Sequence, residues 1–220
     1  MLKFLLKLFI FLFLIILSIL TYLSYFGLET NKFDSLIINK ANEVNRHVKL
    51  DFEKTKIHVS LRELDLVVRL QKPKILVKEN EIKLSKLNLF LPLKAFFSSD
   101  FLLKKGIIAF EKNNIKDLTK VTSIFLPRII NKRLNKIFAE GNLEGEFILR
   151  FNTDGTLDKN YGFRGKISEA LIKITKEFSL RNLTTEINNN EGAQSNDFKI
   201  KIIKGSFLDL ELDGSNINLT

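Results

Sequence analysis

The chain has two histidines, His47 and His58, and no cysteine, so any metal or proton-transfer chemistry would have to be built around those two imidazoles. Such a site also needs a third ligand or a positioned base, and neither histidine has carboxylates at helical spacing beside it. Both read as surface or strand-edge residues. The serines of "VSLRE" and "KGSFL" lie in strand patterns, without the G-x-S-x-G turn that exposes a nucleophile. "NTDGTLD", Asn152 to Asp158, lacks the spacing and the distal glutamate of a calcium loop and reads as a plain turn. No glycine-rich strand-to-helix turn offers itself to a phosphate. These patterns point away from an enzyme, and neither a metal nor a cofactor is expected.

The net charge is +10, but most lysines alternate with acidic residues, as in "KLDFEKTKI" and "KENEIKLSK". That is the pattern of a solvated strand face. "LPRIINKRLNKI" is basic and helical, and it too reads as the wet face of an amphipathic helix, so no nucleic-acid partner is expected.

Other spacings concern a membrane. Leu8 to Leu28 holds 21 residues without a charge, and as a helix it would span about 30 Å, the hydrocarbon thickness of a bilayer. The stretch is too long for the apolar part of a cleaved signal peptide, and "TYLSYFG" has no small-residue cleavage pattern. An uncleaved anchor is expected, with Leu8, Phe13, Ile16 and Leu20 in lipid and Tyr22 and Tyr25 at the headgroups. Lys3 and Lys7 precede the span, which puts the N-terminus in the cytoplasm and the rest of the chain outside.

The remaining elements follow from periodicity. Phe33, Leu36, Ile37, Ala41, Val44 and Val48 recur at helical spacing, so Asn31 to His47 is expected to be an amphipathic helix. The period then becomes two: Val48, Leu50 and Phe52, then Ile57, Val59 and Leu61, then Leu64, Leu66, Val68 and Leu70 share one face. Each change of parity between these sets implies a bulge or a turn. Two further strands cover "ILVKE" and "EIKLSKLNLFL", the latter with Leu87, Leu89 and Leu91 inward, followed by a helical turn at "LKAFFSSD" and a strand at "FLLKKGIIAFEK". Ile115 to Phe138 is expected to be helical, kinked or broken at Pro127. A second β segment from Gly141 places Phe147, Leu149 and Phe151 on one face and returns through Phe163 and Ile167 after a turn at "NTDG". The pattern ends within a strand, so further β-repeat is expected beyond Thr220.

The fold class is therefore mainly β with few helices. An N-terminal transmembrane helix leads into an elongated, curved antiparallel sheet of about ten strands with two amphipathic helices. Ten strands at about 4.8 Å spacing and about 23 Å length present roughly 1,100 Å² on one face, of which two such helices cover roughly 570 Å². Half of an apolar face is left without cover, more than soluble monomers expose. It must curl on itself or hold something apolar.

The order of these elements, and above all "LNLFLPLKAFFSSDFLLKKGIIAFEKNNIKDL", resembles the AsmA-like superfamily of Gram-negative envelope proteins. The run falls on Leu87, Leu89, Leu91, Phe96, Phe97, Ile107, Ile115 and Leu118, and the resemblance covers about the first 120 residues. It implies an inner-membrane anchor and a periplasmic β-groove similar to that of bridge-like lipid transfer proteins. The expected organisation is an anchor over 1–28, a groove domain over 29–140 and further β-repeat over 141–220. The expected partners are phospholipid acyl chains, held by the inward residues named above, and outer-membrane or periplasmic proteins. A non-enzymatic scaffold for outer-membrane assembly is the alternative.

Overall fold

The computed structural model of the chain describes residues 2–44, 48–77, 80–96, 102–122, 128–158, 161–175, 177–189, 198–208, 210–214 and 216–219. His47, Phe97, Ile124, Phe125, Pro127 and most of the loop "NNNEGAQSND" lie outside the described residues.

Helix α1, Leu2–Tyr25, is followed by the short strand β1, Leu28–Glu29, and helix α2, Asp34–Val44. Four strands come next: β2 Val48–Asp51, β3 Lys54–Ser60, β4 Asp65–Gln71 and β5 Lys74–Val77. Strand β6, Asn80–Pro92, runs into a 3-10 turn at Leu93–Phe96, and β7, Lys105–Asn114, leads to helices α3, Ile115–Thr122, and α4, Arg128–Ile137. The rest is β8 Phe138–Arg150, β9 Gly162–Lys173, β10 Ser179–Asn189, β11 Phe198–Phe207, β12 Leu210–Asp213 and β13 Asn216–Leu219. All thirteen strands join one open, curved antiparallel sheet, ordered β1-β3-β4-β6-β7-β8-β9-β10-β11-β12, with β2 and β5 on the far half of β6 and β13 beside β11.

The helical stretch expected over Ile115 to Phe138, kinked or broken at Pro127, is described as two helices, α3 before Pro127 and α4 after it. A proline lacks the N–H and clashes with the carbonyl four residues earlier, which is why the sequence places a kink or break there. Phe138, expected on that helix, begins β8 and pairs with Ile172. The division expected at 140/141 falls inside β8, which is laddered to β7 on one side and β9 on the other.

A line of irregularities crosses the sheet. The strands break or slip register at Phe52–Glu53, Lys72–Pro73, Ser85, Glu111–Lys112, Gly141, Glu169 and Asn182. Each extra residue reverses the alternation, so the inward set changes parity: Ile82 and Leu84 give way to Leu87, Leu89 and Leu91. Likewise Ile167 gives way to Ala170 and Ile172. Lys72, Glu169 and Asn182 sit at this crease in the left-handed region, with φ of 46°, 55° and 49°. The slips on β6 to β10 lie at nearly the same level of the ladder, and inward residues on both sides of them stay within the two clusters.

Two clusters fill the inner face. The larger joins Phe33 and Ile37 of α2 to Ile57, Val59, Leu66, Val68, Leu70, Leu87 and Leu91, and the smaller joins Ile115 of α3 to Ile167, Ala170 and Leu183. The buried Thr55 hydroxyl donates to the Asp34 carboxylate at the start of α2, fastening that helix to β3. Gly141 has φ +131°, and a Cβ there would lie 2.9 Å from Ala170 Cα, where backbone cannot give way. Gly141→Ala is therefore expected to destabilise the fold by about 1–3 kcal/mol. Gly106→Ala, whose Cβ would meet only side-chain atoms at 3.9 Å or more, should change it little. Thermal melts of both variants in detergent, beside the parent chain, check this.

Candidate apolar face of the sheet

The ladder register arranges the inward side chains in rows. One row runs Thr55, Leu70, Leu87, Ile108, Phe147, Phe163. The next, nearer the end of α1, runs Ile57, Val68, Leu89, Gly106, Leu149, and a third runs Val59, Leu66, Leu91. Phe151 continues the face beside Gly106, where a Cβ would be 3.9 Å from its ring. Most residues expected on one face from alternation thus do share one.

Their cover differs along the sheet. Ile57, Val59, Leu66, Val68, Leu70, Leu87 and Leu91 are buried within the larger cluster, which also takes in Ala95 of the 3-10 turn. Val48 is buried with Val77 across the crease, and Leu50 and Phe52 are half-buried. From β6 to β9 the face is only half covered: Leu89, Ile108, Phe147, Leu149, Phe151 and Phe163 all keep part of their surface open. Phe147 anchors this strip, with its ring 4.6 Å from that of Phe163 and 5.9 Å from that of Phe110. The paired glycines Gly145 and Gly165 leave room for these rings, since a Cβ on either would lie 3.3 Å or less from Phe110 or Phe163.

Leu61 and Leu64 do not belong to the face. They lie in the turn between β3 and β4, 46% and 64% exposed, and Leu64 takes φ 51°, so the alternation that placed them inward stops there. Two members of the strip, Ile108 and Phe163, were not among the expected lining residues. Ile107 and Ile108 are adjacent, so parity alone could not say which points inward, whereas the spacing of Phe163 from Ile167 did carry the signal.

Polar chemistry is sparse around this face. Among the described residues no group of three or more His, Cys, Asp or Glu is placed to hold a metal. The "NTDG" segment is a turn: Asp154 accepts hydrogen bonds from the Thr156 hydroxyl and amide, which hold its carboxyl below the usual range. A cavity of about 910 Å³ lies beyond the crease between α4 and the β9–β10 turn, lined by Lys136, Lys173, Arg181, Glu140, Glu169 and Glu177. Three cations balance three carboxylates there, so it favours neither an anion nor a metal. No family model, curated protein or solved structure matches the chain.

His58, expected as a surface or strand-edge residue, lies on β3, whose outer neighbour β1 pairs only at Lys56 and Ile57, but it is not at the surface. It is 6% exposed, on the side of β3 opposite the larger cluster, because the end of α1 covers it. Its Nδ1 lies 3.4 Å from the Ser24 carbonyl, and Gly27, at φ +71°, presses so close that a Cβ would be 2.7 Å from Nε2. Burial pushes the imidazole below its ordinary value of 6.5, helped by the Arg69 charge and opposed by the Ser24 carbonyl. The neutral ring therefore suits the folded state, and the unfolded chain binds the proton more readily. That contribution to stability is complete above pH 6.5 and is lost as the pH falls through and below that value. Melting temperatures in detergent should fall between about pH 7 and about pH 5, and His58→Gln should flatten that part of the profile.

Proposed function

We propose that the chain is a single-pass, AsmA-like protein of the bacterial inner membrane, with α1 as its anchor and the sheet in the periplasm. On this reading the half-covered strip shelters phospholipid acyl chains, and the protein contributes to phospholipid transport between the two membranes and to envelope integrity. The observation that carries it is the strip itself: Leu89, Ile108, Phe147, Leu149, Phe151 and Phe163 form a partly open apolar band on a sheet joined directly to a helix long and apolar enough to cross a membrane. Such a band binds without directional chemistry. Each acyl methylene laid on it would contribute about 0.8 kcal/mol, and four strands side by side extend it about 15 Å across the sheet.

Topology is tested in spheroplasts. With Lys3 and Lys7 inside, added protease should digest the chain beyond Glu29 and spare the N-terminus; resistance until lysis would reverse the orientation.

The lipid reading is tested on the purified full chain by mass spectrometry beside thermal melts. The parent should carry phospholipid. Phe147→Asp and Leu89→Glu place a carboxylate where water can still reach it, so both should melt cooperatively and lose most of the bound lipid. Val68→Asp instead buries an unpaired charge at a fully covered position, costing several kcal/mol, comparable with the stability of a domain. It should not fold. A parent chain without lipid, or folded strip variants that keep theirs, would favour a scaffold over a lipid-handling face.

A further inference from the structure

We propose that the edge of the sheet nearest α1, formed by Leu61, Leu64, Leu93 and Leu102, is immersed in the same lipid leaflet from which α1 emerges.

The chain path sets the direction. After α1 it passes Gly27, and then Leu28 pairs with Ile57, Glu29 with Lys56, and the Thr30 amide donates to the Thr55 carbonyl. Moving away from the helix thus means moving to lower numbers on β3, and β3 itself runs back toward the membrane. Leu20 and Leu23 pack against the larger cluster, so strand and helix lie side by side there. His58 sits at the level of Ser24. Leu61 is three residues further on, about 10 Å along the strand, and an equal distance back along α1 from Ser24 is about seven residues. The β3–β4 turn therefore reaches the uncharged part of the helix. The aromatic residues Tyr22, Tyr25 and Phe26, all exposed, mark the headgroup level above it.

Neighbouring elements end at the same edge. Asp65 pairs with Pro92, which places Leu93 beside the turn, and the Lys104 amide donates to the Phe90 carbonyl, which places Leu102 there too. These four leucines are all exposed, although the fold covers most other large apolar side chains of β3, β4 and β6. The buried Asp65 carboxylate is matched by Lys104 at 2.6 Å, and Glu63, exposed in the turn between Leu61 and Leu64, faces Lys105 at 3.9 Å, so each anion of this edge has a cation beside it. Arg62 and Lys94 are exposed among the leucines and are long enough to extend to the headgroups.

The inference rests on α1 being an anchor, as proposed above. The chain has no tryptophan, so single reporters can be introduced without background at exposed positions. Leu61→Trp and Leu93→Trp probe the edge, and Leu210→Trp, 67% exposed at the opposite end of the sheet where β12 starts, is the control. The full chain is reconstituted into phosphatidylcholine and phosphatidylglycerol vesicles whose acyl chains carry bromine. Emission from the two edge reporters should be quenched several-fold more than that from the control. Absent quenching, or equal quenching at all three, overturns the inference. Alkaline carbonate extraction separates it from its premise: a released chain overturns the anchor, whereas a chain that stays integral without excess quenching overturns the immersed edge alone.

Discussion

A β-strand sends successive side chains to opposite faces, so a one-residue slip exchanges the dry face for the wet one. This sheet has to bend while keeping one face apolar over many strands. A slip in a single strand would turn a row of leucines outward. Because Ser85, Glu111–Lys112, Gly141, Glu169 and Asn182 slip on the successive strands β6 to β10, the inward sets change parity together and the face remains continuous. The cost is carried by a few residues in left-handed conformation, Lys72, Glu169 and Asn182 among them.

That bend decides where cover is available. Helix α2 packs on the inward residues of β3, β4 and β6, the β2–β5 ladder continues the sheet alongside the far half of β6, and α3 reaches across β6, β7 and β8 from the far end. Beneath them Val68 and Leu91 lose all contact with water. Toward β9 cover thins, and the tilted rings of Phe147 and Phe163 meet each other at 4.6 Å at the margin of the larger cluster, each partly exposed. One apolar face therefore changes from a sealed core to a half-open band without any change in residue type, because the number of covering elements, not the hydrophobicity, varies along it.

The join between α1 and the sheet has a different chemistry. A glycine that cannot be replaced without collision and an imidazole kept neutral by burial bring the helix end against the back of β3. The position of the sheet relative to any membrane that α1 crosses is thereby fixed by short-range packing rather than by a linker of variable length.

The sequence by itself determined the apolar helix, the shared face of Leu66, Val68, Leu70, Leu87, Leu89 and Leu91, and the breaks in parity between Phe52 and Ile57 and between Leu61 and Leu66, because these depend on local periodicity. It also marked Pro127 as a helix breaker, and α3 ends before it and α4 begins after it. Only the tertiary structure decided that Val59 and Leu66 are sealed while Phe147 is half open, that Leu61 and Leu64 leave the face, and that His58 is buried. Each of these depends on which distant segment packs on top: α2 and the 3-10 turn over the leucines, the end of α1 over the histidine. Alternation says which way a side chain points, but burial requires a partner brought from elsewhere in the chain, and no local pattern encodes that partner.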